Sequence, residues 1–175
     1  MKKYNKNGFS LIETVVALAI VAILTVLTVP SFLVSNINNR LLAETNQVSS
    51  IISFARSEAA RRNSYVSVCA SSNAATCDSG DLSQGIIIFS DPGLAGLSSG
   101  SQIIKIYDSW NIKDKGKITN IVNSEGSPVF SFNGFSSAVN YGSILVCSPG
   151  YNSYTLNISQ IGSVNIITNT GDGGC

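Results

Sequence analysis

Residues 9 to 29, FSLIETVVALAIVAILTVLTV, constrain this chain more than any other stretch. The run is about as long as a helix needs to cross a bilayer. It holds one charge, Glu13, and no other appears before Pro30. A carboxylate at the centre of a membrane helix costs about 2.5–3.5 kcal/mol on insertion scales. A plain anchor has no use for it. Lys2, Lys3 and Lys6 precede the run and no lysine or arginine follows closely. The positive-inside rule therefore places the N-terminus in the cytoplasm and the rest of the chain outside. The run is too long for an ordinary signal-peptide core, and its ALA at 17–19 lies inside the apolar stretch instead of after it. Signal-peptidase cleavage is not the expectation.

The remaining composition fits a chain on the far side of a membrane. It has 175 residues, 12% of them charged, and a mean hydropathy of +0.25. That is apolar for a soluble protein and polar for a multispanning one. The net charge of +1 creates no strong field for nucleic acid or acidic surfaces. Three leading lysines taken from +1 leave −2. Histidine is absent, which excludes Ser/His/Asp and Cys/His catalysis and removes the commonest zinc ligand. The four cysteines, Cys69, Cys77, Cys147 and Cys175, form no C-x-x-C pair and all lie outside the apolar run. An even count of this kind reads as two disulfides in an oxidising compartment, with three connectivities open.

Beyond Pro30, which kinks a helix unless something compensates, the helical period resumes. Val34, Ile37, Leu41, Val48, Ile52, Ala55 and Ala59 recur at three-, four- and seven-residue steps and form one apolar stripe. The helix ends at ARRN, 60–63, with Arg61 and Arg62 favourable at the negative end of its dipole and read as a solvated end. Helical from 9 to 62, it would measure roughly 80 Å. From residue 64 short β-prone runs alternate with Gly, Ser, Asn and Asp: 65–70, 85–90, 103–108, 117–122, 128–132, 143–148, 153–159 and 163–168. Turn residues at such intervals predict antiparallel sheets, and this length can bury a real core.

GFSLIE, residues 8–13, resembles the N-terminal signature of type IV pilins and pseudopilins at every position: Gly8, an aromatic Phe9, and Glu13 as the fifth residue from Phe9. The resemblance implies that prepilin peptidase cuts between Gly8 and Phe9, that the new amine of Phe9 is N-methylated, and that the helix later moves from the inner membrane into a filament core. Physics agrees with that use of Glu13. An unpaired carboxylate in an apolar bundle costs several kcal/mol, and cleavage creates a cation at Phe9 that can neutralise it, on the same or an adjacent subunit. Such a pair would set register. In the membrane, Glu13 can reach the headgroups, being five residues into the span.

A second resemblance covers most of the remaining chain. IISFARSEAARRNSYVSVCASS (51–72) is similar to the helix-to-strand segment of the GspH/FimT group of minor pilins and pseudopilins, with weaker likenesses at 85–93, 103–108 and 159–166. Some members of that group that take up DNA carry Gly-Arg-x-Arg near the C-terminus. The aligned positions here are Gly162, Ser163, Val164 and Asn165, so both arginines are missing. Phosphate neutralisation drives DNA binding, which makes DNA a disfavoured partner. Lys113, Lys115 and Lys117, next to Trp110, are the remaining basic cluster that could touch a nucleic acid, but Asp108 and Asp114 dilute it. A solvated hairpin turn is the expectation there.

Asp78, Asp81 and Asp91 lack EF-hand spacing and read as turn residues. GDGGC at 171–175 lacks the context of a nucleotide-binding loop and reads as a tail tied down by Cys175. The disulfides expected are Cys69–Cys77, closing a short polar loop, and Cys147–Cys175, pinning the tail. The chain is thus expected to be α+β: a leader (1–8), a transmembrane and filament-core helix (9–29), an amphipathic helix (30–63), and a periplasmic antiparallel β-domain (64–175). It is identified as a member of the pilin-like GspH/FimT group. The implied role is non-enzymatic, in priming or capping a type IV pilus, with a type II secretion pseudopilin as the alternative. The implied partners are prepilin peptidase, other minor and major pilins and the inner-membrane assembly platform. No cofactor and no metal are expected.

Overall fold

The structure, a computed structural model, describes residues 8, 10–78, 81–98, 101–109, 117–123 and 129–171, with the side chains of 26–31, 117 and 119–123 left aside. One helix, α1 (Leu11–Arg62), precedes eight strands: β1 (Val66–Ala70), β2 (Ile86–Ser90), β3 (Gln102–Tyr107), β4 (Lys117–Asn123), β5 (Val129–Phe132), β6 (Gly142–Cys147), β7 (Ser153–Ile158) and β8 (Val164–Asn169). Each strand falls on one of the eight β-prone runs. The chain divides into two units, Met1–Ile37 and Asn38–Cys175, with the boundary inside α1.

In the first unit α1 starts at Ser10, whose carbonyl accepts the Glu13 and Thr14 amides (3.0 and 3.2 Å). Strong helix formers and β-branched residues alternate through it, and the helix continues through Pro30. The hydroxyls of Thr14 and Thr25 donate to the carbonyls of Leu11 and Ala22 (2.8 Å each), so neither needs a partner outside the helix.

In the second unit the helix buries a stripe. Leu41, Thr45, Val48, Ile52, Ala55 and Ala59 are buried at alternating four- and three-residue steps, joined by Ile51 and Glu58. Thr45 fits because its hydroxyl donates to the Leu41 carbonyl (2.7 Å). The expected stripe is longer than the buried one: Val34 is exposed and Ile37 half-buried, so burial begins at Leu41. Asn38 adds a polar tie, its Oδ1 accepting from the Asn152 amide (3.1 Å) and its carbonyl from the Tyr154 hydroxyl (3.3 Å). The helix ends with Asn63 in the left-handed region (φ 47°) and the Ser64 amide bonded back to the Ala59 carbonyl (3.2 Å). Asparagine tolerates that conformation, so ARRN is a working stop.

The strands form two four-stranded antiparallel sheets, β3-β2-β1-β5 and β4-β6-β7-β8. All of β1 and most of β2 are buried, so the centre of the first sheet is covered on both faces, while β3 at its edge is largely exposed. By strand alternation, Val66, Val68 and Ala70 point one way and Ser67 and Cys69 the other. On the second face Cys69, Ile87 and Phe89 make a small core that Cys77, Leu97 and Val129 cover. The Cys69–Cys77 disulfide (Cα–Cα 5.6 Å) closes that cover, as expected. Cys147 is disulfide-bonded too; Cys175, its expected partner, lies outside the described residues.

Gly85 shows why a glycine precedes β2. Its φ of +133° is one that L side chains rarely adopt, and a Cβ there would sit 2.6 Å from the Ser71 carbonyl oxygen.

Candidate functional site

Of the residues singled out at the N-terminus, Glu13 stands on a helix that is apolar on every side. Leu11, Ile12, Val15, Val16, Leu18, Ile20, Val21, Ile23 and Leu24 are all more than half exposed. Their positions run through the full circle of the helix, at 100° per residue. Such a surface is stable only when lipid or other helices cover it. Glu13 lies in the first turn of α1 and is exposed among these side chains. Among the described residues no helix segment is long and apolar enough to cross a membrane. Around Gly8 an added Cβ would meet nothing within 4 Å among the described residues. Phe9 lies outside the described residues.

The acidic residues of the β-domain are engaged one loop at a time. Asp78 accepts from the amide and hydroxyl of Ser72 (2.6 and 2.5 Å). These bonds, the hydroxyl's first, hold its carboxyl below the ordinary carboxylate range. Asp81 caps the 3-10 turn Leu82–Gln84, accepting from the amide and hydroxyl of Ser83 (2.9 and 2.6 Å). Asp91 is buried and accepts from the Ser67 hydroxyl (2.9 Å) and the amides of Ala95 (3.0 Å) and Gly96 (3.3 Å). The three do not converge, and among the described residues no such group could hold a metal ion.

Asp91 belongs to a buried polar cluster that the sequence does not reveal. Ser67 and Ser131 share a hydroxyl hydrogen bond (2.7 Å), and Asn140 accepts from the Ser131 amide and donates to the Val129 carbonyl (2.6 Å each). A cavity of about 260 Å³ opens beside Asp91, Ser131 and Asn140. Ser67 lies 24 residues from Asp91 and 64 from Ser131, too far for any local pattern; only Asn140, 9 residues beyond Ser131, is near its partner. The one local sign is Asp91 before Pro92 and Gly93, a turn signature.

Arg61 and Arg62 are not simply a solvated end. Glu58, nearly buried, accepts from Arg61 Nε and Nη2 (3.0 and 2.7 Å) and from Arg62 Nε (2.9 Å). The Arg61 bonds, then those of Arg62, lower the Glu58 carboxyl to about 2 against burial, which pushes the other way. Arg56 donates from Nε to the Ser136 carbonyl (2.8 Å). It thereby lies beside Gly162 (φ +76°), where an added Cβ would sit 2.5 Å from the Ser136 oxygen and 2.9 Å from Arg56 Nε. A guanidinium thus stands next to the turn that lacks its own arginines, but tied to a carbonyl. Lys105 lies over the rings of Phe54 and Tyr107, 5.2 and 4.7 Å from their centroids. Lys117 opens β4, while Lys113, Lys115 and Trp110 lie outside the described residues, so the expected basic hairpin is not assembled within them.

A family model described as "Type II transport protein GspH" matches residues 44–162. This chain belongs to the GspH family. A second model, the prokaryotic N-terminal methylation motif, matches residues 3–29, which include Gly8, Phe9 and Glu13. The architecture is similar to that of the type IV minor pilin FimU of Pseudomonas aeruginosa in two crystal forms. One is 19% identical, with 74% of this chain aligned to 89% of that chain and a TM-score of 0.57. The other is also 19% identical, over 72% and 91%, with a TM-score of 0.52. At that identity the likeness establishes the α+β pilin-like fold. No curated protein matches the chain. For this GspH-family protein the methylation motif spans the all-round apolar helix, and the family match covers the helix stripe from Thr45 and the strands β1 to β7.

Proposed function

We propose that this GspH-family chain is a minor pilin that takes part in assembling a type IV pilus, in a priming or tip complex. The carrying observation is an N-terminal methylation motif continuous with a helix that exposes apolar side chains on every face and holds Glu13 among them. In this reading residues 1–8 are a leader removed by prepilin peptidase between Gly8 and Phe9, and Phe9 is then N-methylated. Residues 9–29 rest in the inner membrane with the N-terminus cytoplasmic, then enter the filament core. There Glu13 pairs with the Phe9 amine of its own or a neighbouring subunit, which removes the cost of an unpaired carboxylate in an apolar bundle. The amphipathic segment 30–63 and the periplasmic domain 64–175 supply surfaces for other minor and major pilins and the assembly platform.

A pseudopilin of a type II secretion system is the second reading, favoured by the printed description of the matching family. DNA uptake is not favoured. The turn at Gly162 lacks both arginines, and Arg56, Arg61 and Arg62 are engaged by protein acceptors.

Intact mass of the membrane-extracted chain tests the processing. The expected species lacks Met1–Gly8 and is heavier than the cut chain by one methyl group. An uncut chain in cells with an active prepilin peptidase would overturn the reading. Co-purification of crosslinked partners separates the machines: pilus subunits support the first reading and secretion components the second.

A further inference from the structure

The two sheets have four outer edges, and three of them are blunted. On β5, the Ser131 amide donates to Asn140 Oδ1 (2.6 Å) and its carbonyl accepts from the Val139 amide (2.8 Å). The Val129 carbonyl accepts from Asn140 (2.6 Å), and Phe132 bridges Ala138. Segment 138–140 therefore plugs that edge. The β3 edge has a register shift at Ile88/Phe89 and Lys105 at mid-strand. The β4 edge has a register shift at Ile121/Asn123 and starts with Lys117. Bulges, lysines and covering loops are the devices by which sheet proteins prevent edge pairing.

β8 has none of them. All six residues pair with β7 in unbroken register, from Val164 opposite Ile158 to Asn169 opposite Ser153. Among the described residues no strand lies on its other side. Its sequence, VNIITN, has no proline, glycine or charge. The neutrality extends far beyond it: residues 129–171 contain no Asp, Glu, Lys or Arg. Val164 and Ile166 are half-buried on one face, while Asn165, Ile167 and Asn169 are exposed on the other. A neutral, six-residue edge in unbroken register, with no strand beside it among the described residues, is a template for main-chain hydrogen bonding.

We propose that the outer edge of β8 docks an extended segment of a different protein chain, five or six residues long and free of proline and charge, as an added strand. Charge decides the class of occupant. The edge and the rest of 129–171 carry no charge, so nothing in this stretch attracts a charged strand, and a neutral strand matches it. Apolar residues on the Val164/Ile166 face extend a half-buried surface, and hydroxyl or amide residues suit the Asn165/Asn169 face. The choice of a different chain over a second copy rests on the assembly reading above. Subunits stacked through their N-terminal helices are related by rotation and translation, not by the two-fold axis that pairing β8 with β8 requires.

The test uses the full chain in detergent micelles and a labelled Thr-Ile-Thr-Val-Thr-Val-Thr peptide. The expected result is saturable binding by fluorescence anisotropy, with slowed amide exchange in β8 and not in β3. Placing proline at the centre of the peptide, or replacing its threonines by lysine, should abolish binding. Ile167→Lys, which adds to β8 the device seen on the other edges, should weaken binding tenfold or more at unchanged Tm. Ile103→Lys on β3 should leave it unaltered. No saturable binding, or binding indifferent to Ile167→Lys, overturns the proposal. So does a concentration-dependent dimer that Ile167→Lys abolishes, since it assigns the edge to a second copy. None of these readouts involves filament incorporation, so failure here leaves the assembly reading to its own test.

Discussion

Replacing Cys77 by serine opens the Cys69–Cys77 bridge while leaving Cys69 in place. The closed loop spans a sequence separation of 8. The chain-entropy relation gives a loss of about 2.5 kcal/mol for a loop of that length, arising in the unfolded ensemble. The folded loop retains other ties: the Asn73 side-chain oxygen accepts the amides of Ala75 and Thr76 (2.9 Å each), and Asp78 holds Ser72. Cys69 itself is fully buried between Ile87 and Phe89, so truncating it adds a packing loss. Cys69→Ala with Cys77→Ala should therefore cost more than Cys77→Ser, by about 0.5–1.5 kcal/mol. The assay is native-state hydrogen exchange at the amides of Val68 and Ile88, which face each other in the centre of β1–β2. It reads the free energy of opening without requiring both units of the chain to unfold together. A Cys77→Ser loss below about 1 kcal/mol would refute the loop-closure reasoning. Equal losses for the two variants would show that Cys69 contributes no packing.

Further outcomes follow from other sites. The Glu58 carboxyl is lowered from 4.5 to about 2, so its contribution to stability is fully present above about pH 4.5 and is lost as pH falls towards 2. The ceiling of ~3.4 kcal/mol drops to about 1–2 because the Arg61 side chain is 64% exposed and water screens the pair. In acid titration followed by circular dichroism, Glu58→Gln should be less stable than the parent at neutral pH and approach it as pH falls through about 2; parallel curves would contradict the assignment. Gly85→Ala should destabilise by at least about 1–3 kcal/mol from backbone strain alone, measured by urea denaturation, with the overlap on the Ser71 carbonyl adding to it. Gly8→Leu should leave an uncut precursor on immunoblots while the folded β-domain is unchanged, and normal processing would remove Gly8 from the cleavage account.

Local patterns were enough to read the helix, the eight strands and the near disulfide. The strands are short apolar runs bounded by turn residues, and Cys69 and Cys77 are close enough in sequence for the loop between them to need no wider fold. ARRN was legible as a stop from its arginines at the negative end of the dipole, and the left-handed Asn63 that ends α1 emerges only in the structure. What was not legible depends on pairing across distance. Nothing near Val129 states that β5 lies beside β1, or that β3 and β4 belong to different sheets. Ser67, Asp91, Ser131 and Asn140 look like ordinary loop and strand polar residues until the sheet brings them together. Arg61 and Arg62 look solvated because the near burial of Glu58 is a tertiary fact. The open edge of β8 is likewise visible only by comparison with three closed ones. At the N-terminus the reverse holds: the signature lies wholly in consecutive residues, so the sequence carries nearly all of its meaning.

The central claim is that Glu13 serves assembly and not anchoring. Glu13→Val should be inserted and cleaved as the parent is, since it removes the one charge from the apolar run. The decisive measurement is the ratio of this chain in sheared filaments to that in the membrane fraction, by quantitative immunoblot, for parent and Glu13→Val. The account predicts a processed subunit that accumulates in the membrane and is depleted from filaments at least tenfold. Equal incorporation of the valine variant would contradict it.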